Sequence, residues 1–375
     1  MACAQYRFYL GDQNASSQQI ATFETITVHQ EVDNGWTATV EIPLCTDSHG
    51  NWTGETESYL QPLNRVRVEV SLQGGPYVPL IDGPIVAVNH DLHMEPGQSM
   101  ATVEVQDDGF LLHRDETVKL YPGMTDGDIA QQIFNDNSDI TVSNQVDPVP
   151  STNNLSSVTT VLRGTPMELL QQLARRQHDT WHAFILPGAQ AHSSIGCFKL
   201  DDPTVDSGLP QMILTGNKRN LLNIKFTSNN SIPANFRSGG VSLNDGSVNN
   251  STASLSNVDR MGTNPTGGTA VNRMLRPGQT RNVNLQDAVQ AATDQAAFSL
   301  TAEGEVLKDT YSAVLQPYRN VQVLGVNGQL SGLWQIRQVT HTLTRNSYGQ
   351  TFSLRRNGQS AGSGSSSTTP PVPVF

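Results

Sequence analysis

Apolar and polar residues alternate along much of this chain, and the alternation is cleanest near its end. From Leu333 the order Leu-Trp-Gln-Ile-Arg-Gln-Val-Thr-His-Thr-Leu-Thr has the two-residue period of a half-buried strand. Turn-forming residues follow at Asn346-Ser-Tyr-Gly349, and Gln350-Thr-Phe-Ser-Leu-Arg-Arg356 alternates again, which predicts a β-hairpin. Residues 1 to about 106 read almost wholly as strands, with clear alternation at Thr37–Ile42, Arg65–Val70 and Ala101–Gln106. Gly74-Gly-Pro76 and Glu95-Pro-Gly97 supply turns between them. Short strands at this spacing predict an antiparallel barrel or sandwich.

Helical periods interrupt the strands three times. Thr125 with Asp128 forms a box-like start, and Ile129, Ala130, Ile133 and Phe134 then share one face. Thr165-Pro-Met-Glu168 is a second start signal, with Leu169, Leu170, Leu173 and Ala174 as its stripe. A strand at Thr180–Leu186 follows, ending at Pro187-Gly188. A third helix is predicted from Leu285 to Ala302, capped by Asn284 and stopped near Gly304. Its alanine face allows close packing, either within the chain or across a subunit seam. Strands are predicted again at Tyr311–Leu315 and Val321–Leu324. Residues 228–283 have no period and are expected to form an irregular insertion. The Gly/Ser- and then Pro-rich stretch 358–375 is expected to be a linker or extended arm.

With 375 residues the chain exceeds one ordinary core. Only 15% of its residues are charged, well under the usual ~25%, which fits sheets with polar, uncharged faces. A net charge of −11, and no Lys/Arg run longer than two, argue against specific nucleic-acid binding. No apolar stretch is long enough to span a membrane, and Met1–Leu10 lacks the pattern of a signal peptide. Cys3, Cys45 and Cys197 are scattered and odd in number, against a disulfide framework or zinc site. The expected setting for folding is a reducing cytoplasm.

Candidate chemistry is sparse. His178-Asp-Thr-Trp-His182 mimics the spacing of a zinc protease, but that chemistry needs both histidines on one helical face. Here they straddle a helix end and a strand start, so they should point apart. His90 and His93 lie in strand-like sequence, where a spacing of three puts them on opposite faces, and read as surface or interface residues. Gly358-Gln-Ser-Ala-Gly362 fits the nucleophile-elbow pattern, yet no helix is predicted after it. Asp107-Asp108 reads as a solvated strand end rather than a catalytic pair. Trp36, Trp52, Trp181 and Trp334 read as core or interface anchors. No catalytic, cofactor-binding or metal residue is assigned, and no cofactor is expected.

Four segments together resemble the phage late control D family, the baseplate hubs of contractile tails. The same family forms the N-terminal half of type VI secretion VgrG proteins. The segments are Asp107–Asp115, Thr125–Ile133, Thr165–Arg175 with the Trp/Phe strand after it, and Gly328–Arg356. The resemblance implies a mainly β, β-rich α+β fold with two tail-tube-like antiparallel β-barrels, helical decorations and an insertion. The first barrel is expected over 1–110, completed by strands near 197–227. Residues 111–200 would begin the second barrel and 284–357 would complete it. The resemblance further implies a structural homotrimer, not an enzyme, joining a sixfold tail tube or tube-initiator protein to a threefold spike. Two equivalent surfaces per chain would let a trimer meet a sixfold ring. Baseplate wedge proteins would be further partners, and the virion the location. Since no Gly-rich repeat follows the hairpin, the spike is expected to be a separate chain. Three other readings stand beside this one: the hub of a contractile injection system delivering effectors, a wall-degrading hydrolase or metalloprotease, and a carbohydrate-binding β module.

Overall fold

Alternation builds strands wherever it was read in the first 106 residues, because each strand there has one face to bury. The computed structural model describes residues 4–11, 13–52, 60–149, 159–177, 181–229, 233–241, 248–265, 270–275, 285–308, 310–345 and 347–360. The first part holds β1 (Gln5–Leu10), β2 (Gln13–Asn14), the short α1 (Ser17–Ile20), β3 (Thr25–Glu31), β4 (Thr37–Pro43), β5 (Arg65–Ser71), β6 (Val78–Asp91) and β7 (Met100–Gln106). Next come α2 (Gly109–Leu112), β8 (Thr117–Pro122), α3 (Asp126–Asp136), β9 (Thr141–Val146), β10 (Thr159–Gly164), α4 (Pro166–Gln177), β11 (Trp181–Pro187) and β12 (Ser194–Leu200). Then follow β13 (Met212–Ile213), β14 (Leu221–Ser228), β15 (Ala234–Val241), β16 (Val248–Thr252), β17 (Asn264–Pro265), β18 (Val271–Met274) and α5 (Leu285–Ala297). The last part holds β19 (Leu300–Val306), β20 (Asn320–Leu324), β21 (Gly332–Thr344), β22 (Tyr348–Arg356) and β23 (Gly358–Gln359).

The fold is β-rich α+β. One 13-stranded sheet runs through it in the order β14-β19-β22-β21-β3-β4-β7-β6-β5-β1-β2, with β20 pairing β21 and β13 pairing β20. Among the described residues its ends do not meet, so the strands form rolls rather than closed barrels. Two apolar cores lie along it. One gathers Phe8, Trp36, Val40, Val68 and Ile85 from the first part, the other Phe352, Trp334, Ile336, Leu300 and Val321 from the last.

The middle segment has its own core. Ile129, Ile133 and Phe134 of α3 pack with Leu170 and Leu173 of α4 and with Trp181 and Phe198. Both helix starts are capping boxes: Thr125 Oγ1 accepts from the Asp128 amide, and Thr165 Oγ1 from that of Glu168. In each, the acid accepts in return from the threonine amide. Strands between 197 and 227 lie away from the first core: β12 pairs with β11 and β9, and β14 with β19. Part of the 228–283 segment is regular, since β15, β16 and β18 form a sheet under α5. Val289, Ala288 and Ala292 of α5 pack there, inside the same chain.

Two elements differ from expectation. The third helix ends at Ala297, and Leu300–Ala302 already belong to β19; Asn284 lies outside the described residues. Gly304 is no helix stop. It sits mid-strand, where an added Cβ would meet Asn223 O at 2.4 Å and Phe352 Cζ at 2.9 Å. Tyr311–Leu315 is not a strand. Its backbone is satisfied by a side chain instead, with Gln350 accepting from the Leu315 amide (2.7 Å) and donating to Ala313 O (3.0 Å).

Candidate functional site

The long sheet is built twice over. Numbered within each half, β14, β19, β22 and β21 stand in the spatial order first-second-fourth-third, and so do β3, β4, β7 and β6. The third strand carries a bulge in both, between Ile336 and Gln338 in β21 and between Ile85 and Ala87 in β6. Its leading half leaves the main sheet to pair with the strand before it, β20 or β5. Following register from strand to strand then equates Ile85 with Ile336, Val103 with Phe352, Val40 with Gly304, and Ile26 with Ile224. Sequence traces survive at these positions. Ile85-x-x-Val88-x-His90 answers Ile336-x-x-Val339-x-His341, and Thr37-Ala-x-x-Glu41 answers Thr301-Ala-x-x-Glu305.

The two units meet where β21 pairs antiparallel with β3, from Gln338 opposite Glu31 to Thr344 opposite Thr25. This junction is dry on one face. His341 is fully buried, with Nδ1 2.8 Å from the Tyr348 hydroxyl and Nε2 3.2 Å from Gln30 Oε1, and Gln30 in turn donates to Leu80 O. Burial pushes the His341 pKa down to about 3, so the ring is neutral and joins the chain of hydrogen bonds without a charge. The other face of the sheet is mostly polar, with Thr27, His29, Thr39 and Glu41 in one unit and Lys225, Glu303, Thr351 and Ser353 in the other.

Each unit has an outer edge. β14 pairs only with β19, and β6 beyond Ile85 only with β7, among the described residues. Side chains equivalent to buried junction residues are open at these edges. Val88 and Ile224 are half-buried and His90 is exposed, whereas Val339, Ile26 and His341 are buried.

A buried ionic network docks the middle segment onto the first unit. Arg67 donates to Glu69 (2.7 Å), Asp82 (3.0 Å), Gly188 O (2.8 Å) and Gln190 O (2.9 Å). Arg65 bridges Asp82 (2.9 Å) and Asp108 (2.7 Å), and Ser194 donates to Asp108. Asp107 and Asp108 are therefore buried rather than solvated. Asp107 accepts from the Trp36 (2.6 Å) and Gly109 (2.9 Å) amides, and burial outweighs those bonds to push its pKa up to about 7. It thereby ties the residue before β4 to the start of α2.

The remaining sequence candidates separate. His178 lies outside the described residues. His182 is buried on β11, with Nδ1 2.7 Å from Asp33 and no partner for Nε2. It faces a cleft of about 210 Å³ between the middle segment and residues 316–319, where Phe184 stacks on Tyr318 at 3.7 Å. Among the described residues no group of three or more His, Cys, Asp or Glu is placed to hold a metal. His93 and Asp91 form an exposed pair at the end of β6. Ser360 is held by Arg356 and Ser331 O, after a strand and next to residues outside those described. Trp36, Trp181 and Trp334 are core residues and Trp52 is partly buried against the first core. No described helix is long and apolar enough to cross a membrane.

No protein-family model matches the chain, and no curated protein matches it in sequence. Solved structures do. A 43 kDa prophage tail protein from Shewanella oneidensis shares 12% identity at a TM-score of 0.62, covering 94% of this chain and 98% of its own. A tail protein from Neisseria meningitidis shares 13% at 0.60, over 95% and 97%. An Escherichia coli type VI secretion component, itself described as similar to T4 bacteriophage tail proteins, shares 12% at 0.51, over 88% and 73%. Most of the chain thus has the fold seen in these phage tail proteins and in the type VI secretion component.

Proposed function

We propose that this chain is a structural, non-catalytic hub of a contractile phage tail baseplate, acting as a homotrimer between a sixfold tail tube and a threefold spike. The observation that carries this reading is the doubled four-strand unit with its matched bulges. Three copies offer six near-equivalent units to a sixfold partner, and only three sets of everything else to a threefold one. The fold shared with phage tail proteins supports the same role. The polar sheet face lines the bore of the ring, and the helical segment and α5 layer decorate its outside, where wedge proteins dock. Pairing the outer edges also removes strands that would otherwise invite aggregation.

Light scattering and negative-stain imaging of the purified chain, alone and with a tube-initiator and a spike protein of the same phage, test this. A threefold mass with ring-shaped particles is expected. A monomer that stays monomeric with both partners overturns the hub, and would turn attention to hydrolase assays.

A further inference from the structure

The internal junction between the two units is a template for the contact between chains. We infer that the outer half of β6 in one copy pairs antiparallel with β14 of the next, in the register that puts Asp91 opposite Lys225 and Leu92 opposite Ile224. This rests on the hub reading and specifies its seam.

The register follows from the repeat. β6 is the counterpart of β21, and β14 the counterpart of β3. Within the chain, Thr342 faces Thr27 and Leu343 faces Ile26. Carried through the strand equivalences, Thr342 becomes Asp91 and Thr27 becomes Lys225, and Ile26 becomes Ile224; one step past the end of β6, Leu343 corresponds to Leu92.

Three independent observations fit that register. First, the polar-face pair becomes an acid opposite a base, each of them exposed, and Lys225 makes no ion pair among the described residues. Second, the apolar pair stays apolar: Leu343 and Ile26 are both buried, whereas Leu92 is 50% exposed and Ile224 half-buried. Third, the next position also keeps its chemistry. His29 Nδ1 lies 3.1 Å from Thr340 Oγ1 inside the chain, and the counterparts Asn89 and Thr227 can form the same kind of hydrogen bond. A one-residue slip would turn Leu92 and Ile224 to opposite faces. The matching strand, β14, is the other free edge of this same chain's sheet, so the occupant is a second copy.

Asp91→Cys and Lys225→Cys, made in separate chains that carry Cys45→Ser, test the register by oxidation after mixing. The mixture should form disulfide-linked heterodimers, and neither chain alone should. A Thr27→Cys, Thr342→Cys chain is the calibrator, since its pair sits at the same register position inside one molecule. Charge reversal gives a second readout. Asp91→Lys or Lys225→Asp should weaken trimer formation about tenfold per seam, and the double swap should restore it. A wild-type trimer in which the calibrator cross-links but the mixture does not overturns this register and leaves the hub intact. A double swap no better than either single reversal also overturns it. A wild-type chain that never assembles removes both.

Discussion

Replacing Arg67 with methionine should release the middle segment from the first unit. The side chain is buried and makes four hydrogen bonds, two to carboxylates and two to carbonyls of the 188–190 turn. Methionine fills the stem but leaves Glu69 in a dry site without its cation. Breaking a buried pair from one side costs about 3–5 kcal/mol. Asp82 keeps Arg65 and the His192 amide, and the exposed Gln190 carbonyl can rehydrate, so the loss belongs at the low end, about 3 kcal/mol. That is about two orders of magnitude in the folding equilibrium. Guanidinium unfolding followed by tryptophan fluorescence measures it, and limited proteolysis reads the turn directly. Arg67→Met with Glu69→Leu should recover part of the loss, because no orphan carboxylate remains. A loss under about 1 kcal/mol, with the turn still protease-resistant, would refute the view that this network holds the two parts together.

Other perturbations probe other links. His341 has a folded pKa of about 3 against 6.5 unfolded, so the unfolded chain takes up the proton first. Its contribution is complete above pH 6.5 and should fall by about 1.4 kcal/mol per pH unit on acidification toward pH 3; His341→Gln should flatten that part of a stability–pH curve. Gly304→Ala should cost at least about 1 kcal/mol in denaturant melts, because its Cβ would press on the Asn223 carbonyl as well as on Phe352. Adding Phe352→Val should recover only part, since the backbone contact stays. Thr125→Ala should cost about 1 kcal/mol by removing the cap of α3, read as a lower denaturation midpoint.

Much of the fold was legible because local rules and tertiary structure agree. Thr125 and Thr165 announce their helices, and Leu333–Arg356 announces its hairpin, since each satisfies its own backbone. The failures lie where distant residues decide. Ala302 and Gly304 look like a helix end, but Gly304 is small because Phe352 of the facing strand takes the space that Val103 leaves open to Val40 in the other unit. Tyr311–Leu315 alternates like a strand, yet Gln350, far along the chain, takes up its hydrogen bonds. Asp107-Asp108 looks like surface until Arg65 and Ser194 arrive from elsewhere. The repeat itself left two short traces around Ile85 and Thr37, separated by different distances in the two units, so no fixed period could expose it. The edges of β6 and β14 carry no chemistry that sequence motifs record; only the register gives them meaning.

In the proposed ring, the covalent join between the two units has a consequence for order. Six free subunits of two kinds could occupy a ring in many arrangements, most of them carrying neighbouring duplicates. A chain that already contains one of each, joined through β21 and β3, admits a single cyclic sequence in which the kinds alternate. Each unit of that ring is then free to differ from the other without any need for the units to sort themselves.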